Sequence, residues 1–262
     1  MTIKNHRLDG AAYVASPNKS GKINPKFIVM HYTAGYTAQS AINTLTRKGS
    51  GVSAHVTVDL DGTITQHVPF NVKAWHAGPS RHMGYNGLNS HSVGIEIVNI
   101  GFLRQVRTGQ YQDAYGNVRD DGDFPNGLVA APNSRVGSGV FYWPVYPQAQ
   151  LEAVDRLTAD LTSKYPILDI VSHEEIDTRG WKTDPGPAFP MKLFKRHLTT
   201  DRGADGERCE VTASTLNVRG GPGANFSKIA SLSKGEIVEV TEREAEWGRE
   251  RDEGWVHFGY LR

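Results

Sequence analysis

The residues with the clearest chemical potential lie in one stretch, VSHEEIDTRGWKTDPGPAFP, which runs from Val171 to Pro190. His173 and Asp184 are residue types that bind zinc, and Lys182 stands two positions before the aspartate. Because side chains two apart in an extended segment share a face, Lys182 and Asp184 are predicted to point into one cavity. A cation there could stabilise negative charge beside a metal. The alternative interpretation of His173 is a satisfied core histidine next to a surface turn.

The flanking sequence predicts how these residues are held. The apolar run from Ile167 to Val171 predicts a buried strand that leads into His173. After Asp184, the sequence Pro185-Gly186-Pro187 excludes a helix and predicts a stiff turn. The aspartate would then be fixed in place without a helix.

Two further polar residues occur in apolar runs. The run KFIVMH, residues 26–31, predicts a central strand buried on both faces, and it ends at His31, where open sheets place their chemistry. The run VGIEIV, residues 93–98, contains one acid, Glu96. A buried carboxylate costs free energy unless it is paired or functional, so Glu96 is a candidate for catalysis. The alternative is that Glu96 lies on a solvated face of its strand.

Residues 101–143 form an unusually long segment, rich in Gly, Asn, Asp and Arg and without a clear period. Loops longer than about 12–15 residues are uncommon and often functional, so we predict an elaborated loop beside the site. A small hairpin is predicted at Tyr115–Asn117. The earlier loop AWHAG places Trp75 next to His76. For the other histidines in question, a place in the core or at the surface is the more frequent outcome: His55, His67, His82, His91 and His197.

The other elements follow from local signals. Residues 1–26 are polar and turn-rich and predict an arm with little regular structure. Thr37 is predicted to cap a helix, and Asp59–Gly62 to turn a hairpin. Pro147 opens a helix, and Met191–Leu198 predict a final helix before the composition changes.

The composition bounds the function classes. A chain of 262 residues is long enough for two domains, and its formal charge of +1 gives no indication of a nucleic-acid partner. Cys209 is the single cysteine, which excludes an intrachain disulfide and a Cys-rich zinc site. No apolar run approaches the ~20 residues that span a membrane. The N-terminal sequence MTIKNHRLDG lacks the apolar region of a signal peptide, so we expect a protein made in the cytoplasm.

The amino-acid composition and the hydrophobic pattern of the chain change after residue 198. Residues 199–207, TTDRGADGE, are charged and lack large apolar side chains, which predicts a linker. From residue 208 onward, short strands and turns alternate without helical periodicity, which predicts a small all-β barrel. We therefore predict a first domain over residues 1–198 and a second over residues 208–262.

Five segments occur together in the first domain: IVMHYTAG, SAHVTVDLDGTITQHVP, AWHAG, VGIEIVN and H-x8-K-T-D-P-G-P. In this order, over roughly residues 10–198, they resemble the zinc-dependent N-acetylmuramoyl-L-alanine amidases, in the branch shared with peptidoglycan recognition proteins and T7-type lysozymes. The resemblance implies an α/β fold with a mixed central β-sheet flanked by helices, and Zn2+ in a groove. It also implies a set of functional residues by motif position: the zinc ligands His31, His173 and Asp184, the acid Glu96 and the basic residue Lys182.

The second domain, with LNVRGGPG, a later Gly235 and GWV followed by YL, resembles bacterial SH3-type modules. Such modules commonly bind cell-wall peptidoglycan. The alternative is a passive barrel that stabilises or dimerises the protein.

Together these observations predict a peptidoglycan hydrolase. Two imidazoles and one carboxylate leave zinc a fourth position for water, which is the open, catalytic arrangement. Zinc-activated water would attack the amide between N-acetylmuramic acid and the L-alanine of the stem peptide. Glu96 would move the proton, Lys182 would stabilise the oxyanion, and Trp75 and His76 would line the substrate groove.

Two alternatives stay open, namely a non-catalytic peptidoglycan-binding protein and a zinc peptidase that cuts within the stem peptide. The expected place of action is the cell wall, which the protein would reach after release or export. The alternative is a cytosolic recycling enzyme that acts on smaller substrates.

Overall fold

The computed structural model describes residues 2–198, 207–244, 246–250 and 254–261. The chain divides into two compact units, residues 1–198 and 199–262, each with a hydrophobic core of its own. The predicted linker, residues 199–207, lies outside the described residues apart from Glu207, which begins a strand. Within the described ranges, no helix is both long enough and apolar enough to cross a bilayer.

The elements of the first unit are mostly short. Its strands, in chain order, are β1 (Ile3–Lys4), β2 (Arg7–Leu8), β3 (Ala12–Tyr13), β4 (Lys19–Lys22), β5 (Phe27–Tyr32), β6 (Val56–Val58), β7 (Ile64–Gln66), β8 (Val72–Ala74), β9 (Arg81–His82), β10 (Tyr85–Asn86), β11 (Ser92–Ile97), β12 (Arg104–Arg107), β13 (Gln110–Gln112), β14 (Val118–Asp120), β15 (Leu128–Pro132), β16 (Val140–Pro144) and β17 (Asp169–Ser172). Its helices are α1 (Ala38–Thr46), α2 (Gln148–Lys164), α3 (His173–Ile176) and α4 (Met191–Lys195).

A mixed central sheet carries the candidate site. Its strand order is β17-β5-β11-β6-β7-β3. The strands β17, β5, β11 and β6 run parallel, β7 is antiparallel to β6, and β3 is parallel to β7. The structure thus confirms the predicted α/β class with a mixed central sheet.

The two faces of β5 have different neighbours. Ile28 and Met30 belong to the main core, which also contains the apolar side of α2. Phe27 and Val29 belong to a smaller cluster on the opposite face. Because side chains alternate along a strand, His31 follows Phe27 and Val29 onto that second face.

The same alternation orients the acid of β11. Ile95 and Ile97 are buried in the main core. Glu96 therefore points to the opposite face, the face that carries His31. That face forms part of a groove, where Glu96 is half-buried.

The structure confirms the two helix starts predicted at Thr37 and Pro147. Thr37 caps α1, and its Oγ1 accepts a hydrogen bond from the N–H of Ser40 at 3.3 Å. Helix α2 begins directly after Pro147, as predicted. Ser172 caps α3 in the same way as Thr37 caps α1, so His173 is the first residue of a short helix. The predicted helix Met191–Leu198 is α-helical only through α4 and ends in a 3-10 turn.

The N-terminal 26 residues contain more regular structure than predicted. β1 pairs with β2, β3 forms the edge of the central sheet, and β4 pairs with β8. The prediction of an arm with little regular structure was wrong because strands of two to four residues with mostly exposed side chains carry no periodic hydrophobic signal.

Residues 101–143, which we call the β-rich segment, are also more regular than the predicted loop. β12, β13 and β14 form a three-stranded sheet, and β15 and β16 pair up to Pro144. The predicted hairpin at Tyr115–Asn117 is confirmed, since it joins β13 to β14. The segment closes at its base, where Leu103 and Tyr142 exchange two backbone hydrogen bonds of 2.8 and 3.0 Å.

The second unit is all-β in its described part. Its strands are β18 (Glu207–Glu210), β19 (Thr215–Arg219), β20 (Lys228–Ser233), β21 (Ile237–Glu244), β22 (Trp247–Glu250) and β23 (Trp255–His257). They form one sheet in the order β18-β21-β22-β23-β19-β20 around a small core that contains Cys209. This agrees with the small all-β unit expected from the sequence.

Candidate active site

A groove at the carboxyl ends of the parallel strands brings the predicted residues together. It encloses a cavity of about 520 Å³. Its lining includes every residue for which the sequence predicts a role in catalysis, metal binding or substrate binding: His31, Trp75, His76, Glu96, His173, Lys182 and Asp184. The carboxyl edge of a parallel sheet is the usual place for such a site.

The three candidate metal ligands are buried and touch one another. Nδ1 of His31 lies 3.0 Å from Nδ1 of His173, and each of these atoms lies 2.9 Å from Oδ2 of Asp184. His31 comes from β5, His173 from the start of α3, and Asp184 from the turn that follows. One oxygen and two nitrogens therefore face a common point.

The tautomer of His173 follows from its second nitrogen. Nε2 of His173 lies 3.3 Å from the carbonyl oxygen of Ala77. A carbonyl oxygen only accepts, so Nε2 of His173 donates and carries a proton. Nδ1 of His173 faces Asp184 and His31.

The tautomer of His31 is set by a longer chain of hydrogen bonds. Oγ of Ser92 donates to the carbonyl oxygen of Leu88 at 2.6 Å and accepts from Nε2 of His76 at 3.2 Å. Burial lowers the pKa of His76 well below its ordinary value, so this ring is neutral and its Nδ1 only accepts. The donor to that atom is Nε2 of His31, at 3.0 Å, which leaves Nδ1 of His31 without a proton.

The donor set therefore fits a zinc ion. Two imidazole nitrogens and one carboxylate oxygen converge within 3.0 Å of one another, which is the mixed nitrogen and oxygen donor set of an open zinc site. Burial and the neighbouring His173 lower the pKa of His31 to about 4. Burial alone would raise the pKa of Asp184, but its contacts with His173 and His31 hold that pKa well below the usual range. Neutral imidazoles and an ionised carboxylate are the protonation states that zinc requires.

Glu96 lies half-buried on the strand next to His31 and lines the same groove. Removal from water raises the pKa of Glu96 to about 8; the charge of Asp184 acts in the same direction, and that of Lys182 opposes it. A carboxyl group with a pKa near neutrality can both accept and return a proton.

Lys182 lies on a loop that Asp177 organises. Oδ2 of Asp177 accepts from the N–H groups of Trp181 and Lys182 at 3.0 and 3.2 Å, and its Oδ1 accepts from Nε of Arg179 at 2.9 Å. Arg135, from the β-rich segment, donates from Nη1 to the carbonyl oxygen of Lys182 at 3.1 Å. The backbone of the candidate oxyanion-stabilising residue is thus fixed on both its N–H and its C=O side.

The two predicted substrate-binding residues differ in their freedom to bind. The indole Nε1 of Trp75 donates to Oγ of Ser20 at 3.1 Å, and the ring is half-buried in the groove wall. His76 also lines the groove, but both its ring nitrogens are engaged within the protein, by His31 and by Ser92. Substrate contact stays a prediction for both residues.

Several residues at the groove were not predicted. Tyr32 contacts Thr183 through a 2.5 Å hydrogen bond beside Asp184. Trp181 and Tyr115 are 63% and 68% exposed, and the guanidinium of Arg179 stacks 4.5 Å from the Trp181 ring centre. Trp181 could have been found from the sequence, because it is a large aromatic residue in the polar loop that carries Lys182.

A second group of ligand-type side chains among the described residues comprises His82, Asp169 and Glu175. Nε2 of His82 lies 2.9 Å from Oδ2 of Asp169, and the ammonium of Lys195 lies 3.2 Å from Oδ1. A cationic side chain already neutralises this carboxylate, so the contacts describe an ion-pair cluster. Part of this cluster is solvent-exposed, unlike the groove triad.

Comparison with known proteins agrees with the groove chemistry. Residues 21–187 match the Amidase_2 family, described as N-acetylmuramoyl-L-alanine amidase, and residues 214–262 match the bacterial SH3 domain family. A crystal structure of a selenomethionine derivative of AmpD aligns with a TM-score of 0.54 and 25% identity, covering 76% of this chain and 100% of that one.

Two curated relatives show the same relationship. The chain is 30% identical over 151 residues to 1,6-anhydro-N-acetylmuramyl-L-alanine amidase AmpD of Enterobacter cloacae, covering 57% of this chain and 58% of that protein. It is 31% identical over 176 residues to N-acetylmuramoyl-L-alanine amidase AmiD of Escherichia coli K12, covering 64% and 51%. The chain thus spans a little over half the length of these relatives. Since the family match takes in the two candidate imidazole ligands, the carboxylate ligand, Glu96 and Lys182, the chain belongs to the N-acetylmuramoyl-L-alanine amidase family and carries a C-terminal bacterial SH3 domain.

Proposed function

We propose that this chain hydrolyses the amide bond between N-acetylmuramic acid and the L-alanine of the peptidoglycan stem peptide, with zinc held by His31, His173 and Asp184. The observation that carries the proposal is the convergence of two imidazole nitrogens and one carboxylate oxygen in the groove that also contains Glu96. The names of the relatives AmpD and AmiD describe amidases acting at N-acetylmuramyl-L-alanine, which supports the choice of bond.

Each predicted metal ligand and catalytic residue then has a role. Zinc held by the triad would supply an acidified water and polarise the amide carbonyl. Glu96 takes the proton of the attacking water and returns it to the leaving amine, a task that suits its raised pKa of about 8. Lys182 offers an ammonium group to the oxyanion, on a backbone that Asp177 and Arg135 hold in place.

The carboxylates of the groove favour amide hydrolysis over glycoside hydrolysis. Among the described residues that line it, Asp184 is the only carboxylate besides Glu96. Asp184 is already engaged by both imidazoles. Glycosidases of the common type need a pair of carboxyl groups across the scissile bond, and Glu96 has no such partner here.

The walls of the groove suit a ligand that is part sugar and part peptide. Phe102, Tyr115 and Trp181 provide aromatic surface, while Ser40 and Thr44 provide hydroxyl groups on another part of the lining. Aromatic rings bury the apolar faces of sugars, and hydroxyls pair with amide and sugar groups.

We extend the proposal to the second unit and to the place of action. Bacterial SH3-type modules commonly bind peptidoglycan, so the match over residues 214–262 supports attachment to the wall. A wall-binding unit favours polymeric wall over small soluble fragments as the substrate. We therefore propose that the enzyme acts there, after release or export.

Digestion of purified sacculi followed by mass spectrometry tests the bond. We expect free stem peptides with new L-alanine amino termini and intact glycan strands. New reducing sugar ends, or peptides shortened at internal bonds, would overturn the proposal in favour of a glycosidase or a stem-peptide peptidase. Binding to sacculi without any release of peptide would identify a receptor.

A further inference from the structure

The side chain of Asn89 holds the backbone of the AWHAG loop at two adjacent positions. Its Oδ1 accepts from the N–H of His76 at 2.8 Å and from the N–H of Ala77 at 2.7 Å. Asn89 lies in a 3-10 turn, Leu88–Ser90, and does not line the groove. One amide oxygen therefore fixes the position of a dipeptide.

That dipeptide contacts both imidazole ligands. The side chain of His76 accepts from Nε2 of His31 at 3.0 Å, and the carbonyl oxygen of Ala77 accepts from Nε2 of His173 at 3.3 Å. These contacts fix the tautomer of each ligand, since both rings must donate away from the metal position. Two ligands from different elements, β5 and α3, thus share one outer support.

The His76 ring is closely packed against β11. A Cβ placed on Gly94 would lie 2.5 Å from Cγ of His76 and 2.6 Å from its Nδ1, so a side chain at that strand position would push the ring away. On its other side the ring donates to Ser92, which is anchored to the carbonyl of Leu88. The ring has little room to turn toward a substrate.

We propose that Asn89 and His76 are positioning residues of the metal centre, and that Asn89 orients both imidazole ligands at once by holding the His76–Ala77 dipeptide. The inference rests on zinc binding by the triad, as proposed above. Partners of this outer kind typically change metal affinity by 10–100-fold when they are removed.

The test compares acceptor-keeping with acceptor-removing variants of the full chain. Asn89→Asp keeps an oxygen at the Oδ1 position, and Asn89→Leu has similar size without an acceptor. In the same way, His76→Asn places an amide oxygen near the position of Nδ1, and His76→Leu does not. Zinc affinity is measured by competition with a chromophoric chelator, and folding is checked by the circular dichroism and melting temperature of the zinc-free protein.

We expect Asn89→Leu and His76→Leu to bind zinc about 10–100-fold more weakly, with Asn89→Asp and His76→Asn close to wild type. If the leucine variants bind zinc as tightly as wild type, the positioning role is refuted. Equal weakening of zinc binding in all four variants would also refute it. Zinc affinity would then not depend on whether the substituted side chain keeps a hydrogen-bond acceptor.

Gly94→Ala provides an independent variant should Asn89→Leu fail to fold. It displaces the His76 ring without removing any hydrogen-bonding group, and we expect weakened zinc binding, whereas unchanged affinity would contradict the inference. Wild-type protein that binds no zinc would instead refute the proposed metal site, so the two failures are distinguishable.

Discussion

Glu96 and His31 are register partners on the neighbouring parallel strands β11 and β5. Neighbouring strands lie about 4.8 Å apart, so the candidate acid and the candidate ligand share one face at fixed spacing. A hydrogen-bonded sheet resists sliding, because a one-residue slip of β11 would turn Glu96 into the main core. The separation between proton transfer and metal binding is therefore set by backbone pairing.

Substitution of Glu96 or Lys182 should separate zinc binding from turnover. We expect Glu96→Ala and Lys182→Ala to keep stoichiometric zinc and the fold, and to lose turnover by ~10²–10⁴-fold, the usual contribution of a general acid–base group. Elemental analysis and release of stem peptide from sacculi measure the two properties. A Glu96→Ala variant with a near wild-type rate would show that another group moves the proton.

The raised pKa of Glu96 predicts a pH dependence of stability in zinc-free protein. Because the pKa is about 8 in the folded state and 4.5 ordinarily, the folded protein between these pH values holds a proton that the unfolded chain releases. Stability due to this group therefore falls as pH rises from 4.5 to 8. Glu96→Gln cannot ionise, so it should gain stability relative to wild type by more than about 1 kcal/mol between pH 5 and pH 8.

Urea unfolding of chelator-treated wild type and Glu96→Gln at both pH values measures the difference. The histidines titrate in both proteins, so they cancel in the comparison. Parallel stability–pH curves would mean that Glu96 titrates normally in the folded chain.

Substitution of one metal ligand should abolish zinc binding. Asp184→Asn leaves the size of the side chain unchanged but removes its charge, and His173→Ala removes a nitrogen ligand. Both should lose bound zinc, measured by elemental analysis, together with activity, while wild type holds about one zinc per chain, as expected for one three-residue site. Chelator should inactivate wild type, and added zinc should restore it. Full activity of metal-free wild type would contradict the assignment.

Arg135 should affect turnover although it belongs to the β-rich segment. It donates to the carbonyl oxygen of Lys182 and lies 3.8 Å from the carboxylate of Asp177. Arg135→Ala frees one side of the Lys182 backbone, and small misplacements of catalytic groups are costly, so we expect kcat to fall about 10-fold with zinc content unchanged. Arg107→Ala in the same segment is the matched control, since Arg107 is exposed and donates to the side chain of Gln110, and neither residue lines the groove. Equal kinetics for the two variants would argue against this support.

A chain ending near residue 200 should separate chemistry from wall attachment. The first unit has its own core, so it should fold and cleave small soluble muropeptides at the wild-type rate. It should lose co-sedimentation with insoluble wall, because a linked binding unit raises local concentration without altering the site. Equal sedimentation of both proteins would count against a targeting role for the second unit.

The groove residues could be predicted because strong local signals surround them. His31 ends a fully apolar run, Glu96 interrupts another, and the prolines after Asp184 fix a turn. The strands of the β-rich segment gave no comparable signal, since every side chain of β12 and β14 is exposed and glycines lie between the strands.

The outer support of the ligands was beyond local sequence. Asn89 lies 13 positions from His76, and His76 lies 45 positions from His31, so their contacts exist only once the sheet has formed. The sequence suggested His76 as a groove residue because it stands beside Trp75. That pattern could not show that both ring nitrogens are already engaged within the protein.

The closed base of the β-rich segment allows the segment to be exchanged as one piece. Leu103 and Tyr142 bring the ends of the segment together, so its exchange for another length of chain leaves the strand before it and the helix after it where they are. The triad and Glu96 lie outside the exchanged part, whereas Tyr115 and Phe102 lie at or within its ends. The shape of the groove wall can thus change by exchange of this segment, while the triad and Glu96 keep their places on other elements of the first unit.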